Sequence, residues 1–411
     1  MSIVNILFIL PQIHKGGGQA IQALNLAEQL ISKGNKIIIL TFKMKKTTKE
    51  IKQFLGKIPI YCYKVELNYR TFFIIPSLIK TARKLIKDWK IEVIQSFDPH
   101  LSNLFAVILG KLTKLPVICR IGAIHRYFYE NKLLNGNVFM KIMYYTKIPS
   151  LFLMFMEYFT IRETKVVISN TKYVLKALKQ SFFLKSCRFN WKVIPNGVNI
   201  RKFSPNKKIP LNISQKFENK EIILYLGRIN KFKGIEILIQ ALARLEHKIP
   251  NIHLIIIGSY QLNYNYYKEL QKLIKKLNLF SKISFMGDLP HKFVPDYLSL
   301  SKCLVFPSYS TQRPFFEGCP SVILETMANK RLVIASKIGG IPEIIQHEKT
   351  GLLFEPKNYL ELAKLLHSVW VHPIKTQRIV EAGRNLIMRK YAFKHIVENY
   401  LKIYEQFKAG A

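Results

Sequence analysis

The chain has 411 residues, 49% of them hydrophobic, with a mean hydropathy of +0.08 and a formal charge of +39. That length predicts two to three domains with full cores, and the longest uncharged apolar run in its most aromatic region, residues 148–156, excludes a spanning helix of about 20 residues there. The charge is spread over both halves, 31 basic against 9 acidic residues in 1–200 and 33 against 16 in 201–411, which excludes a basic tail and predicts attraction to polyanions: nucleic acid, anionic lipid or phosphorylated substrates.

The apolar run 3–10 has no basic residues before it and a Gly-rich loop after it, so it reads as a buried first strand rather than a signal peptide. The loop 15–18, a helix over about 19–32 and a second strand over 36–42 complete a βαβ unit. Further short apolar runs at 93–96, 117–120, 165–169 and 193–195 suit strands buried on both faces of a parallel sheet. Residues 200–220, with Pro205 and Pro210, break the periodicity and read as a linker. A second alternating series follows, with strands over 222–226, 253–257, 283–286, 303–306, 332–335 and 352–354. Helices fit 235–246, 264–277, 321–329 and 359–369. The fold class is therefore α/β: two doubly wound Rossmann-like domains, 1–199 and 200–391, facing across a cleft, with a C-terminal helix over about 392–411 packing back on the first. The five cysteines, at 62, 119, 187, 303 and 319, have neither metal-ligand nor disulfide-framework spacing, which suits a reducing cytoplasm.

Four segments of the second half converge if the strands are parallel. Gly227-Arg228 ends a strand, with Lys233 and Gly234 opening the next helix. Glycine admits close backbone approach, and cations beside a helix N-terminus suit a diphosphate, although a solvated basic turn has the same composition. Pro307-Ser308 ends another strand. Glu317-Gly318-Cys319-Pro320-Ser321 runs into a helix carrying Glu325, so two carboxylates are placed to grip hydroxyl pairs on a sugar and a ribose. Ordinary N-terminal helix acids would look the same. Gly339-Gly340 before Pro342-Glu343 reads as a structural turn. In the first half, Gly16-Gly17-Gly18 opens a helix without the full dinucleotide fingerprint and is a phosphate- or sugar-facing loop candidate.

Taken in order, the segments GGGQAIQALNLAEQL, VIPNGVNIRKFSP, LYLGRINKFKGIEILIQAL, CLVFPS, EGCPSVILETMA and IGGIPEII resemble the retaining glycosyltransferases of family 4, which have the GT-B architecture. The resemblance covers nearly the whole chain and is more specific in the C-terminal half. It implies that Arg228 and Lys233 neutralise a donor diphosphate and that Glu325 holds the ribose. Glu317 then faces the transferred sugar, beside Gly318, Cys319, Pro320 and Ser321. The segment 287–293 lines the base, and Gly17, Gly18 and Gly227 lie on the donor phosphates. The donor is then a UDP- or GDP-sugar, with no other cofactor and no metal, in keeping with the absence of any Asp-x-Asp. Two departures stand out. The family's cleft histidine position holds Gly122, leaving His125 as a substitute and Arg120 as a second donor-contact candidate. The segment 310–316 is also longer than usual before Glu317.

The helix pattern over 78–90 places Lys80, Arg83, Lys84 and Lys87 on one stripe and Ile79, Ala82, Leu85, Ile86 and Trp89 on an apolar side, the pattern of a helix on an anionic surface or of a Rossmann helix with a solvated face. The aromatic stretch 140–159 reads as a membrane-dipping segment or a buried helix. The expectation is a lipid-linked or envelope glycan acceptor, and a cytoplasmic enzyme bound peripherally to the inner face of an anionic membrane. A sugar-nucleotide epimerase of the same architecture and an inverting enzyme are the enzymatic rivals. A nucleic-acid partner is disfavoured, because the aromatics sit in apolar runs rather than among basic residues.

Overall fold

The computed structural model describes residues 3–13, 18–44, 54, 56–64, 75–122, 148–180, 184–185, 187–205, 209–309 and 317–408. The chain forms two compact units, one of Met1–Asn196 and Lys394–Ala411 and the other of Gly197–Phe393. The crossings therefore fall at 196/197 and 393/394, where the sequence reading placed 199/200 and 391/392.

Unit one contains β1 (Asn5–Ile13), α1 (Gly18–Ile31), β2 (Lys36–Met44), β3 (Ile60–Cys62), α2 (Ile75–Asp88), β4 (Val93–Ser96), α3 (Leu101–Thr113), β5 (Val117–Ile121), α4 (Ile148–Arg162), β6 (Val166–Ser169), α5 (Lys172–Lys179) and β7 (Trp191–Val193). The seven strands are parallel in the order β3-β2-β1-β4-β5-β6-β7. β4, β5 and β6 are buried at every position, as strands covered on both faces require.

Unit two contains α6 (Leu211–Ser214), β8 (Glu221–Leu226), α7 (Ile235–Ala243), β9 (Ile252–Ile257), α8 (Tyr264–Lys276), β10 (Ile283–Gly287), α9 (Val294–Leu300), β11 (Cys303–Phe306), α10 (Ser321–Ala328), β12 (Leu332–Ser336), α11 (Ile341–Ile344), β13 (Leu352–Phe354), α12 (Tyr359–Val371) and α13 (Pro373–Leu386). Its six parallel strands run β10-β9-β8-β11-β12-β13. Along β8, Ile223 and Tyr225 enter one core layer while Ile222 and Leu224 enter the other, so one strand feeds both faces of the sheet.

Both sheets reverse their winding once, between β1 and β4 in unit one and between β8 and β11 in unit two. Ligands of doubly wound sheets bind beyond the carboxyl ends of the strands at such a reversal.

The segment read as a linker is packed instead: Phe203, Ile213 and Phe217 are buried in the unit-two core. The last helix, α14 (Phe393–Glu405), returns to unit one, where Tyr404 donates to Gln95 Oε1 and Tyr400 bonds Arg120. The apolar side of α2 faces the core, with Leu78, Ala82, Leu85 and Ile86 buried, so its exposed face carries Lys80, Arg83, Lys84 and Lys87 together with Ser77, Thr81 and Asp88. In α4, Glu157, Thr160 and Ile161 are wholly buried while Phe155 is exposed, and residues 140–147 lie outside the described ones. Among the described residues no helix is long and apolar enough to cross a membrane.

Candidate functional site

The unit-two reversal is built by the loops after β8 and β11. β8 ends at Leu226, and the chain makes a 3-10 turn over Lys231–Lys233. Gly234 then takes φ +64°, and a Cβ there would lie 2.1 Å from Pro307 O, so only glycine lets α7 start this close to the end of β11. The turn is tied to its neighbour by Tyr309 N donating to Phe232 O at 2.9 Å. Glu236, in the first turn of α7, accepts from Tyr309 Oη at 2.7 Å and from Tyr266 Oη.

This framework delivers Lys233 to the strand ends. Its ammonium lies 4.8 Å from the Phe306 ring centroid and forms an ion pair with Glu317 Oε1. The same carboxylate oxygen accepts from Ser308 Oγ at 3.2 Å. Both charged side chains are mostly covered, 13% and 12% exposed. The Gly339-Gly340 turn, read from the sequence as merely structural, seats Glu317: Gly340 N donates to Glu317 O at 2.7 Å, and a Cβ on Gly339 (φ +60°) would stand 2.3 Å from that oxygen. Arg228 is exposed, and its carbonyl accepts from Tyr225 Oη at 2.8 Å. Burial, then the charge of Glu317, drive the Tyr225 phenol well above its usual pKa, and Arg228 pulls it the other way. Arg228 and Glu317 thus act on the same phenol.

Gly318 and Cys319 are buried, while Pro320 and Ser321 are partly exposed where α10 begins. Glu325 sits one turn into that helix and accepts from His291 at 3.0 Å. His291 opens the 3-10 turn after β10, and its other nitrogen lies 2.7 Å from Lys202 Nζ. An ammonium can only donate, so Nδ1 accepts and Nε2 carries the proton that binds Glu325. Asn199 Oδ1 accepts from the backbone N–H of Arg201 and Lys202, and this turn aims Lys202 at the histidine. The sequence reading missed His291 and Lys202 as residues of the site. The placement of His291 inside 287–293 and of Lys202 in the VIPNGVNIRKFSP motif was the available signal.

In unit one, Gly18 opens α1, while Gly17 and His125 lie outside the described residues. Gln19 donates to Phe97 O and Asn170 to Gly122 O at 3.0 Å, which joins the ends of β1, β4, β5 and β6. Arg120, the second donor-contact candidate, is bound by Tyr400 and Asn196 within unit one. It is 4% exposed, and its guanidinium donates to Tyr400 Oη at 2.7 Å and Asn196 Oδ1 at 2.6 Å. Among the described residues no cluster of three or more His, Cys, Asp or Glu could hold a metal ion.

A family model described as glycosyl transferases group 1 matches residues 207–386, and one described as glycosyltransferase family 4 matches 16–202. The chain belongs to the GT-B glycosyltransferases. This glycosyltransferase is 28% identical over 189 residues to the alpha-D-kanosaminyltransferase of Streptomyces kanamyceticus, 46% of either chain, so it spans about half the length of that relative. An uncharacterized glycosyltransferase of Methanocaldococcus jannaschii is 25% identical over 395 residues, 95% of this chain and 94% of that one. The crystal structure of HepE from Anabaena in complex with UDP-glucose superposes with a TM-score of 0.76 over 98% of this chain and 99% of that one, at 19% identity, a likeness of fold.

Proposed function

We propose that this glycosyltransferase transfers a sugar, with retention of anomeric configuration, from a nucleoside-diphosphate sugar to a lipid-linked or envelope glycan acceptor. The observation that carries the reading is the meeting of Lys233, Ser308 and Glu317 at the β8/β11 reversal, with the Arg228 carbonyl held by the buried Tyr225 hydroxyl at the end of β8. Arg228 and Lys233 hold the donor diphosphate together with amides at the start of α10, Gly227 lets the backbone approach it, and no metal takes part. Glu317 faces the sugar beside Gly318, Cys319, Pro320 and Ser321, and Glu325 grips the ribose. Gly17, Gly18 and His125 are the unit-one candidates for contact with donor or acceptor.

The bond from the anomeric carbon to the diphosphate breaks. The acceptor hydroxyl oxygen bonds to that carbon on the same face, and its proton passes to the departing phosphate oxygen. The products are a glycoside and a nucleoside diphosphate. HepE was crystallised with UDP-glucose and the kanosaminyl relative is a transferase, which favours a UDP-sugar donor and transfer over epimerisation. The exposed basic face of α2 supports peripheral docking at the inner, anionic face of a membrane.

Thermal-shift screening against UDP-, GDP- and ADP-sugars tests the donor, and NMR of the anomeric proton in the first-formed product tests retention. Stabilisation by no nucleotide sugar, or an inverted product, overturns the corresponding part of the reading.

A further inference from the structure

A second basic feature lies far along the unit-one sheet from α2. A cavity of about 690 Å³ opens between α5 and the region of β7, lined by Lys172, Lys176, Lys179, Lys185, Leu175 and Trp191. Trp191 is 42% exposed on the edge strand, and the Lys179 ammonium stands 4.5 Å from its ring centroid. Leu175, buried, forms the floor. The segment that supplies the lining is one-sided in charge: residues 164–217 contain no Asp or Glu.

Position strengthens the observation. Right-handed crossovers put the helices that follow β3, β4, β5 and β6 on one face of the sheet, because all four connections step in the same direction. α2 and α3 share one core layer on that face, and Phe159 of α4 packs against it. α5 thus lies on the same face as the exposed stripe of α2. That stripe has charge but its apolar side is buried. The α5 cavity has four ammonium groups beside an indole, a side chain whose apolar body and polar N–H suit the headgroup level of a bilayer.

We propose that this cavity seats the phosphate headgroup of an anionic phospholipid and, with the α2 stripe, docks unit one on an anionic membrane. The phosphate lies among the lysines, and Trp191 and Leu175 meet the glycerol and first methylenes. A nucleobase is the poorer occupant, since Lys179 already covers the single indole. The inference rests on the membrane-linked acceptor proposed above, but its geometry is independent of the donor site.

The test uses the full chain and vesicles of phosphatidylcholine with or without one-third phosphatidylglycerol. Each basic residue near such a surface contributes about 1 kcal/mol, so Lys176→Ala/Lys179→Ala weakens vesicle binding about thirtyfold. Donor hydrolysis without vesicles stays unchanged. Replacing Trp89 and Trp370 by Phe leaves Trp191 as the last of three tryptophans, and its emission is quenched by brominated phosphatidylglycerol. Wild-type affinity of the double-lysine variant together with unquenched Trp191 overturns the proposal. If Lys80→Glu/Lys84→Glu abolishes binding while the cavity variant does not, docking through α2 stands and the cavity assignment falls. If the wild-type chain binds no vesicle but turns over donor, both membrane assignments fall and sugar transfer stands. Cavity-dependent binding of a short RNA at physiological salt, or of a second copy through β7, likewise overturns it.

Discussion

Lys233 and Glu317 stand 84 residues apart in the chain and meet as a nearly covered ion pair at the carboxyl end of the unit-two sheet. Two flanking glycines at positive φ, Gly234 and Gly339, bring their backbones there. A donor diphosphate would compete with Glu317 for the Lys233 ammonium and leave the carboxylate facing the sugar. Lys233→Ala is therefore expected to lower kcat for donor turnover about 10²–10³-fold, the effect of removing one preorganised group from developing negative charge. Glu317→Gln keeps the geometry toward Ser308 and lowers kcat with little change in melting temperature. Steady-state kinetics with the best nucleotide sugar checks both, and wild-type turnover in the two variants would remove the site assignment.

Glu325 is held by His291, which Lys202 fixes in one tautomer. Hydrogen bonds to a charged group contribute about 1.5–3 kcal/mol. Glu325→Ala is expected to raise the donor KM between about tenfold and about 150-fold, with kcat changed less, because the ribose does not react. His291→Ala releases the carboxylate without removing it and produces a smaller rise in KM. Lys202→Met produces the smallest. Equal KM for all three variants and the wild type would show that this chain of contacts does not touch the donor.

What the sequence disclosed follows from burial. Strands buried at every position, such as β4, β5, β6 and β11, were visible as short apolar runs. β3 was missed and β7 was placed late, over 193–195 rather than Trp191–Val193, because edge strands of three half-exposed residues carry no such run. The cations and carboxylates of unit two stood out at strand ends and a helix start. The His291–Lys202 contact did not, since it joins a turn after β10 to a segment read as a linker. The buried partners of Arg120 were illegible for the converse reason: a lone arginine in an apolar strand near expected cleft loops has the composition of a ligand contact, and only the fold brings Tyr400 and Asn196 to it.

His253 on β9 gives a pH dependence of stability. It is buried beside Phe217 and bonded to Ser284 Oγ at 2.8 Å. Burial, then the charges of Lys220 and Lys282, lower its pKa from 6.5 to about 4. The folded chain keeps the imidazole neutral while the unfolded chain takes up a proton as pH falls through 6.5. The contribution is thus complete above pH 6.5 and is lost as pH falls toward 4, by about 2 kcal/mol at pH 5. Melting temperatures between pH 7.5 and 5 should fall more steeply for the wild type than for His253→Gln, by about 4–8 °C over that span. Parallel curves would contradict the assignment.

Arg120 bonds both chain segments that connect unit one to the rest of the chain. Asn196 is the last residue before the first crossing, and Tyr400 lies in α14, just after the second. Beyond the crossings, Val198 and Phe393 are themselves joined by a backbone hydrogen bond at 3.2 Å. Arg120→Leu would leave the Tyr400 hydroxyl and the Asn196 amide buried without the guanidinium, each at about 1–3 kcal/mol. The expected loss is about 2–6 kcal/mol, a melting temperature lower by at least about 4 °C. Arg120→Lys keeps the charge but lacks the planar fork that reaches two acceptors at once, so it falls between. Tyr400→Phe removes one of the two bonds and isolates its share. Melting curves and donor KM measured well below the transition separate this role from ligand contact. A structural clamp lowers the melting temperature and leaves donor KM at the wild-type value, whereas a donor-contact residue does the reverse.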